Sequence, residues 1–291
     1  MISIVVISKD EPAIDATLSD IAAQARELGE LWEIVVVDAS DGRLDEIGRR
    51  HEQDVRWVAF RRPPGVTVSI PHQRNAGVRE AQGDIIAFTD AGCRPEPGWL
   101  ARLVAPLGQG EDVAAGVALG ADGSAGPYAL AVAAARSAGY LTECPTINLA
   151  FHRAAFDAVG GFDERFAYGS DVDFSWRLVA AGYRIRSVPE AVVRHDWGTR
   201  RRQLRRSYVY GKARARLYRK HRWKLRDILR HDPIVVVYPV FLLGLPLTLL
   251  FPLYPALLLI PAWRNRSEGA ARVLAEHLIF GAGVLAELAG R

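Results

Sequence analysis

Residues 74–93 read RNAGVREAQGDIIAFTDAGC, and this stretch decides the predicted fold. It contains most of a helix predicted over Pro71–Gln82 and then a strand, Asp84–Asp90, that is apolar enough to be buried on both faces and ends in a carboxylate. Similar strands are predicted at Ile2–Ser8 and Glu33–Asp38, and helices are predicted between them. This alternation predicts an α/β fold with a mainly parallel sheet and helices on both faces.

Polar residues follow three of the predicted strands, at Ser8–Glu11, Asp38–Asp41 and Asp90–Cys93. In open sheets of this kind a ligand binds beyond the carboxyl ends of the strands, so the three segments predict one binding site. No G-x-G-x-x-G follows the first strand and the chain carries no P-loop motif, which argues against a dinucleotide-binding or P-loop protein.

The residue types at this edge suit nucleotide and metal binding, although each also has a simpler explanation. Asp38 and Asp41 either accept hydrogen bonds from a base or ribose or only shape a turn. Asp90 either helps to hold Mg²⁺ or Mn²⁺ beside a phosphate or belongs to a turn. Arg74, near a helix N-terminus, either grips a diphosphate or is a solvated surface arginine.

Two later segments carry further candidates. In the helix predicted over Ser170–Ala181, Asp171 is either a general base for a hydroxyl acceptor or, with Asp173, an acid that complements the helix dipole behind a Ser170 N-cap. His195 follows a predicted strand and is either a metal ligand or a structural residue.

The composition indicates a globular protein with an uneven distribution of charge. Of 291 residues 49% are hydrophobic, and two cysteines are too few for a disulfide-stapled scaffold or a zinc finger. The net charge is +4, yet residues 200–231 contain 14 Lys or Arg and one acid. This basic segment therefore carries +13 and the rest of the chain −9.

A stretch of 31 uncharged residues, Pro233–Trp263, follows the basic segment and contains five prolines after its first residue. It is long enough to span a bilayer, and the prolines favour a kinked span or a re-entrant hairpin over one straight helix. A buried hairpin in a soluble core is the alternative. The tail, Val273–Ala289, is either a second pass or an interfacial helix.

The neighbouring span favours an anionic membrane surface as the partner of the basic segment, with nucleic acid as the rival. Lys and Arg beside a span remain on the cytoplasmic side. The predicted organisation is a catalytic domain at 1–198, basic amphipathic surface helices at 199–232, and a hydrophobic membrane anchor with its tail at 233–291.

Taken in order, several segments resemble family 2 glycosyltransferases, which have the GT-A nucleotide-diphospho-sugar transferase fold. The resemblance covers Ile2 to Gly198. The segments that carry it are SIVVISKDEP at 3–12, EIVVVDASDG at 33–42, RNAGVREAQGDIIAFTDAGC at 74–93, GGFDERF at 160–166 and SDVDFSWRL at 170–178.

The resemblance implies a role for each candidate at the nucleotide-sugar site. Asp38 corresponds to the acid that contacts the base, Glu11 closes the same pocket, and Arg74 corresponds to the diphosphate-side arginine. Asp90 corresponds to the first acid of the metal-binding D-x-D motif, and His195 resembles a late histidine that reaches the metal.

The resemblance further implies that Asp171 is the general base and Asp173 its supporting acid. Acceptor candidates fall in residues 126–148 and are Tyr140, Glu143 and Asn148. Two positions depart from the family pattern. Gly92 stands where the D-x-D motif usually has its second acid, which weakens the expectation of a Mn²⁺ or Mg²⁺ cofactor, and Ser170 replaces a common Glu before Asp171.

The expected function is that of an inverting, hexosyltransferase-type enzyme. It would move a sugar from a nucleotide-diphosphate donor to a hydroxyl of a lipid-linked or cell-envelope glycan precursor at the cytoplasmic face of a membrane. The alternative is a non-catalytic membrane-surface binding protein that retains a degenerate nucleotide-sugar domain, and Gly92 is the feature that keeps this alternative open.

Overall fold

The structure, a computed structural model, describes residues 1–124, 139–266 and 269–290. The chain divides into two compact units, Met1–Trp197 and Gly198–Arg291. The first unit holds the sheet, and the second is built from helices.

The strands that the structure describes join into one nine-stranded sheet in the order β3-β2-β1-β4-β8-β6-β9-β5, with β7 paired to β9. The first four strands of this order are parallel, β8 is antiparallel to both its neighbours, and β6 and β9 are again parallel. The fold is therefore α/β with a mixed sheet. The strands are β1 Ile2–Ser8, β2 Trp32–Asp38, β3 Val55–Ala59, β4 Ile85–Asp90, β5 Arg94–Pro95, β6 Val113–Gly120, β7 Tyr140–Leu141, β8 Asn148–His152 and β9 Ile185–His195.

Helices cover both faces of the sheet, and each face has its own apolar core. The helices are α1 Ile14–Glu27, α2 Asp45–Arg50, α3 Ile70–Glu80, α4 Trp99–Gly108, α5 Arg153–Ala158 and α6 Ser170–Ala180. Helix α3 lies unusually close to the sheet, because a Cβ on Gly77 would stand 2.3 Å from Cγ1 of Val5. This contact fixes the helix that carries Arg74.

One of the two cores is dominated by phenylalanines. Phe162 lies 4.5 Å from Phe174 and 5.8 Å from Phe88, measured between ring centroids. Because Phe174 belongs to α6 and Phe88 to β4, the aromatic packing ties the helix that carries Asp171 to the strand that ends in Asp90.

The predicted strands at the start of the chain are confirmed, and their bounds shift by at most one residue. The second half of the sheet differs more. The strand predicted before His195 is the eleven-residue β9, which shifts register against β6 between Ala115 and Val117. Pro189 lies in that strand, and such an irregularity accommodates a residue that lacks an N–H.

The second unit opens with α7, Arg200–Lys220, which is formed by the basic segment, and closes with α11, Ala270–Leu288. The two helices touch backbone to backbone. A Cβ on Gly211 would lie 2.0 Å from the carbonyl oxygen of Phe280, and one on Gly283 would lie 2.1 Å from that of Tyr208. The buried Glu287 accepts a salt bridge of 2.8 Å from Arg216.

The uncharged residues, for which the sequence predicts a kinked span or a re-entrant hairpin, lie between these two helices. They divide into short helical pieces, and prolines lie within or at the start of each piece, where they interrupt backbone hydrogen bonding. Within the part of the chain that the structure describes, no helix combines the length and the apolar character needed to cross a bilayer. The pieces are α9 Ile234–Leu243, 3₁₀ helices at Leu245–Leu249 and Tyr254–Leu258, and α10 Leu259–Arg264; Arg222–Asp227 (3₁₀) and α8 Ile228–His231 precede them.

Candidate active site

The topology brings the predicted strand-end acids to one edge of the sheet. Ile7 pairs with Asp90 on one side of β1, and Ser8 pairs with Asp38 on the other. Since neighbouring strands lie about 4.8 Å apart, the two aspartates stand roughly 10 Å apart across the end of β1. This spacing suits the two ends of a nucleotide.

Asp38 lies in a pocket of hydroxyl groups and is 3% exposed. The hydroxyl of Ser40 donates to its Oδ1 at 2.6 Å, and Ser40 in turn accepts from the backbone N–H of Asp10. Burial raises the pKa of the Asp38 carboxyl, while hydrogen bonds from Ser40 and Ser8 oppose that rise. A carboxylate held in this way can accept a hydrogen bond from a base or ribose.

Gln73 is a positioning residue that the sequence analysis missed. Its buried side-chain amide donates to the carbonyl oxygens of Ser8 at 2.8 Å and Val37 at 2.9 Å, which joins the ends of β1 and β2. The sequence does contain one signal for it, because Gln73 is a polar residue among the apolar positions of a helix that is predicted to pack on the sheet.

Arg74 lies one residue further along the same helix and is 5% exposed. Its Nη2 stands 3.7 Å from Oδ1 of Asp90, its guanidinium lies 5.7 Å from the ring centroid of Phe162, and its Nε has no hydrogen-bond partner. A buried guanidinium with an unused donor suits an anionic ligand better than the solvated position that was its alternative.

Asp171 begins the helix α6 and lies within electrostatic reach of both Arg74 and Glu143. Burial raises the pKa of its carboxyl, the positive Arg74 lowers it, and Glu143 adds a smaller rise. The N-cap of this helix is Gly169, at φ +79°, and Ser170 forms no side-chain cap. The predicted Ser170 N-cap is therefore wrong.

Asp173 is fully buried and stabilises the loop before Phe162 through an ion pair with Arg177. Its Oδ2 accepts from Nε of Arg177 at 2.8 Å, and Arg177 also donates to the carbonyl oxygens of Val159 and Gly161. Asp173 thus fixes the glycine turn before Phe162 through Arg177, a residue that the sequence analysis did not single out. This arrangement fits a supporting acid.

The structure separates the three acceptor candidates. Glu143 accepts a hydrogen bond of 2.9 Å from Nε1 of Trp176 and lies near Asp171. Tyr140 pairs with Arg186 near the start of β9, and the register of β9 against Ala114–Gly120 of β6 puts His195, at the site edge, about 20 Å further along the sheet. Residues 126–138 of the predicted acceptor region lie outside the described residues.

Asn148 belongs to the core rather than to a substrate pocket. Its side chain is fully buried, it donates to the carbonyl oxygens of Val117 and Ala191, and it accepts from Trp99. With both amide groups engaged, it has no donor left for an acceptor sugar. Glu143 is therefore the acceptor candidate that the geometry retains.

His195 ends β9 at the same edge as the strand-end acids, and its ring lies 4.9 Å from that of Trp197. The segment that follows Asp90 reaches the same end of β9, because Arg94 in β5 pairs with Arg194. Across the described ranges, no three His, Cys, Asp or Glu side chains form a metal-binding set. A cation here would depend on phosphate oxygens as well.

The donor set fits such a cation in part. Oδ1 of Asp90 is buried and has no hydrogen-bond partner, which leaves an oxygen suited to Mg²⁺ or Mn²⁺. Both cysteines are unsuited, because burial raises the pKa of Cys93 and of Cys144 to about 12.

Comparison with known families identifies the family of the chain. A model described as "Glycosyl transferase family 2" matches residues 3–162, and a second, "Glycosyl transferase family group 2", matches residues 129–263. The chain belongs to glycosyl transferase family 2. The predicted resemblance to family 2 glycosyltransferases is confirmed.

Two curated relatives are named as glycosyltransferases. The pre-mycofactocin glycosyltransferase of Mycobacterium tuberculosis is 34% identical over 165 residues, which are 51% of this chain and 34% of that protein. Glycosyltransferase AglE of Haloferax volcanii is 25% identical over 162 residues, 53% of each chain. The chain thus spans between a third and about half of the length of these relatives.

Two solved structures share the fold. Mannosyltransferase PcManGT from Pyrobaculum calidifontis, in complex with GDP-Man and Mn²⁺, superposes with a TM-score of 0.64 at 19% identity, covering 100% of this chain and 87% of that one. S. aureus TarS gives a TM-score of 0.51 at 14% identity over 79% of this chain and 40% of that one.

Proposed function

We propose that this glycosyltransferase inverts the configuration of the transferred sugar and that Asp171 is its general base. The observation that carries the proposal is the convergence of three groups at one edge of the sheet. Arg74 stands 3.7 Å from Asp90 and also within electrostatic reach of Asp171, so a phosphate-binding guanidinium, a metal-binding carboxylate and a half-buried base share one site.

The proposed step is a single displacement. As the acceptor oxygen bonds to the anomeric carbon, its proton passes to Asp171, and the bond from that carbon to the nucleoside diphosphate breaks on the opposite face. Arg74 stabilises the negative charge that develops on the leaving diphosphate. A bound Mn²⁺ or Mg²⁺, held by Asp90 together with phosphate oxygens, would add to that neutralisation.

The raised pKa of Asp171 suits this role, because a general base works best when its pKa approaches the working pH. Glu143, fixed by Trp176 near the base, is placed to accept a hydrogen bond from another hydroxyl of the acceptor. Positioning and charge complementarity then supply the catalysis without a covalent intermediate.

The test is Asp171→Asn, which keeps the shape of the side chain and its hydrogen bond to the N–H of Val172. The variant should bind nucleoside diphosphate normally and lose about 10²- to 10⁴-fold in transfer rate. Asp157→Asn, an exposed acid on α5, is the matched control and should behave as wild type. An unchanged rate in Asp171→Asn would exclude it as the base.

We also propose that the acceptor is a lipid-linked glycan precursor at the cytoplasmic face of a membrane. Support comes from the second unit alone. Large apolar side chains between residues 243 and 263 face solvent, among them Leu249 at 89% and Leu253 at 82% exposure. The basic helix α7 belongs to the same unit, and such a pairing of basic and apolar surface is typical of membrane-surface binding.

Sedimentation with liposomes tests this location. The full chain should bind phosphatidylglycerol vesicles more tightly than phosphatidylcholine vesicles, and the preference should fall with salt because exposed charges are screened. Leu249→Asp with Leu253→Asp should reduce binding, whereas Leu31→Asp, at a site 78% exposed in the first unit, should not. Equal binding by the double variant, or salt-sensitive binding to DNA but not to vesicles, would contradict the proposal.

A panel of nucleotide sugars, including GDP-mannose because of the PcManGT complex, would identify the donor. Hydrolysis or transfer with one member of the panel is the expected result. No turnover with any member would favour the non-catalytic alternative.

A further inference from the structure

The loop after β4 lacks the acid that the metal-binding motif usually has at position 92, and another carboxylate lies against that position. Gly92 adopts φ +84°. A Cβ built on it would lie 3.3 Å from Cγ, 3.4 Å from Cδ and 3.8 Å from Oε2 of Glu11. Glu11 therefore places its carboxyl group beside the point from which an acidic side chain at position 92 would extend.

This approach is built into the fold by a short network around Thr17. Its fully buried hydroxyl donates to the carbonyl oxygen of Cys93 at 2.8 Å and accepts from the backbone N–H of Gly92 at 3.1 Å. The first turns of α1 are thereby fixed to the loop that follows Asp90. Oε1 of Glu11 accepts from the N–H of Ala13 at 3.2 Å, which orients the carboxyl group.

The surrounding charges call for a cation when the donor diphosphate is present. Asp90 keeps a buried oxygen without a hydrogen-bond partner, and Arg74 has an unused Nε donor. An anionic ligand bound here would therefore lie beside two carboxylates, those of Asp90 and Glu11, and only one positive charge, that of Arg74. Mg²⁺ and Mn²⁺ that accompany nucleotides are held by one or two carboxylates together with phosphate oxygens. Two carboxylates at this loop satisfy that requirement.

We propose that Glu11 provides the second carboxylate of the metal site, in place of an acid at position 92. The proposal rests on the nucleotide-diphosphate site described above, and it extends the role of Glu11 beyond closing the nucleotide pocket. Gly92 then contributes to the site, because the absence of a side chain at this position leaves the space that the Glu11 carboxyl group occupies.

Glu11→Gln separates the charge from the hydrogen bond, since a glutamine oxygen still accepts from Ala13. Mn²⁺ binding by the purified full chain, in the presence of GDP or UDP, is followed by the electron paramagnetic resonance signal of free Mn²⁺. Glu11→Gln should weaken the Mn²⁺ affinity by about tenfold or more. Glu27→Gln, at the exposed C-terminal end of helix α1, which follows Glu11 in the chain, is the matched control and should leave the Mn²⁺ affinity unchanged.

A double variant that moves the carboxylate from position 11 to position 92 provides a second test. Glu11→Ala should lose Mn²⁺ affinity, and Glu11→Ala combined with Gly92→Asp should recover most of it, because the new side chain occupies the space that Glu11 vacates. Aspartate is among the residues that best tolerate a positive φ. Circular dichroism confirms that each variant is folded.

Wild-type Mn²⁺ affinity in Glu11→Gln would overturn the proposal, and so would absence of Mn²⁺ binding by the wild type with either nucleotide. Calorimetry of nucleotide binding without metal provides the remaining control. Equal losses of affinity with and without Mn²⁺ would limit Glu11 to nucleotide binding and overturn the metal role. None of these outcomes depends on Asp171, whose substitution tests the transfer step separately.

Discussion

The ion pair between Asp173 and Arg177 gives a prediction that can be worked from the structure. The Asp173 side chain is 0% exposed and that of Arg177 is 20% exposed. Arg177→Met keeps most of the apolar stem but removes the ion pair and the hydrogen bonds to Val159 and Gly161. Loss of one partner of a buried pair costs about 3 kcal/mol, the lower end of the usual range because Arg177 reaches solvent.

For a unit of this size, that loss corresponds to a decrease in Tm of about 6 to 12 °C. Thermal unfolding of the full chain, followed by circular dichroism and tryptophan fluorescence, measures it. Arg165→Met is the matched control, because Arg165 pairs with Asp163 at 2.7 Å while its side chain is 82% exposed, and it should leave Tm unchanged. Equal, small shifts for the two variants would refute the assignment of Arg177 as the residue that fixes the site loop.

Three further predictions concern pH, nucleotide affinity and packing. Since burial raises the pKa of Asp171, transfer should increase as pH rises through a value above the ordinary aspartate range, and a profile flat down to pH 4 would contradict this. Asp38→Asn should weaken nucleotide affinity yet leave Tm at pH 7 equal or higher. The reason is that the pKa of Asp38 is raised in the folded state, so ionisation of this carboxyl lowers the free energy of unfolding as pH rises through that pKa. Calorimetry measures the affinity, and thermal unfolding measures Tm. Gly77→Ala should destabilise the chain by about 1–3 kcal/mol through its contact with Val5, and Val5→Ala in the same chain should restore part of the loss in urea unfolding.

Much of the sheet could be predicted because its first strands are short, apolar and bounded by turns. Ile2–Ser8 and the strand ending at Asp90 follow directly from that pattern, and parallel strands place their ends at one edge. The convergence of Asp38 and Asp90 was therefore predictable, and the register across β1 confirms it.

Other features depend on contacts distant in sequence, which local patterns do not report. Gln73 and Arg177 read as ordinary helix residues until the structure shows which carbonyl oxygens they bind. Position in the chain alone predicts Asn148 and Tyr140 as acceptor residues, whereas Asn148 lies in the core and Tyr140 lies at the end of β9 opposite His195.

The uncharged stretch shows a different limit of sequence reasoning. Its hydropathy and length allow it to cross a bilayer, and its prolines predict a kinked span or a re-entrant hairpin, but these properties do not define where each helix begins and ends. Pro246 and Pro255 begin separate 3₁₀ helices, and the stretch forms several short pieces. The lengths of these pieces follow the proline positions.

The stereochemistry of the reaction tests the central claim, a single displacement with Asp171 as base, most directly. The full chain is incubated with the nucleotide sugar that it turns over, and the anomeric signals of the first product are followed by proton nuclear magnetic resonance. We predict that an α-linked donor gives a β product, at a rate that falls at least about 10²-fold in Asp171→Asn. A product that retains the α configuration, formed at the same rate by wild type and variant, would contradict the account.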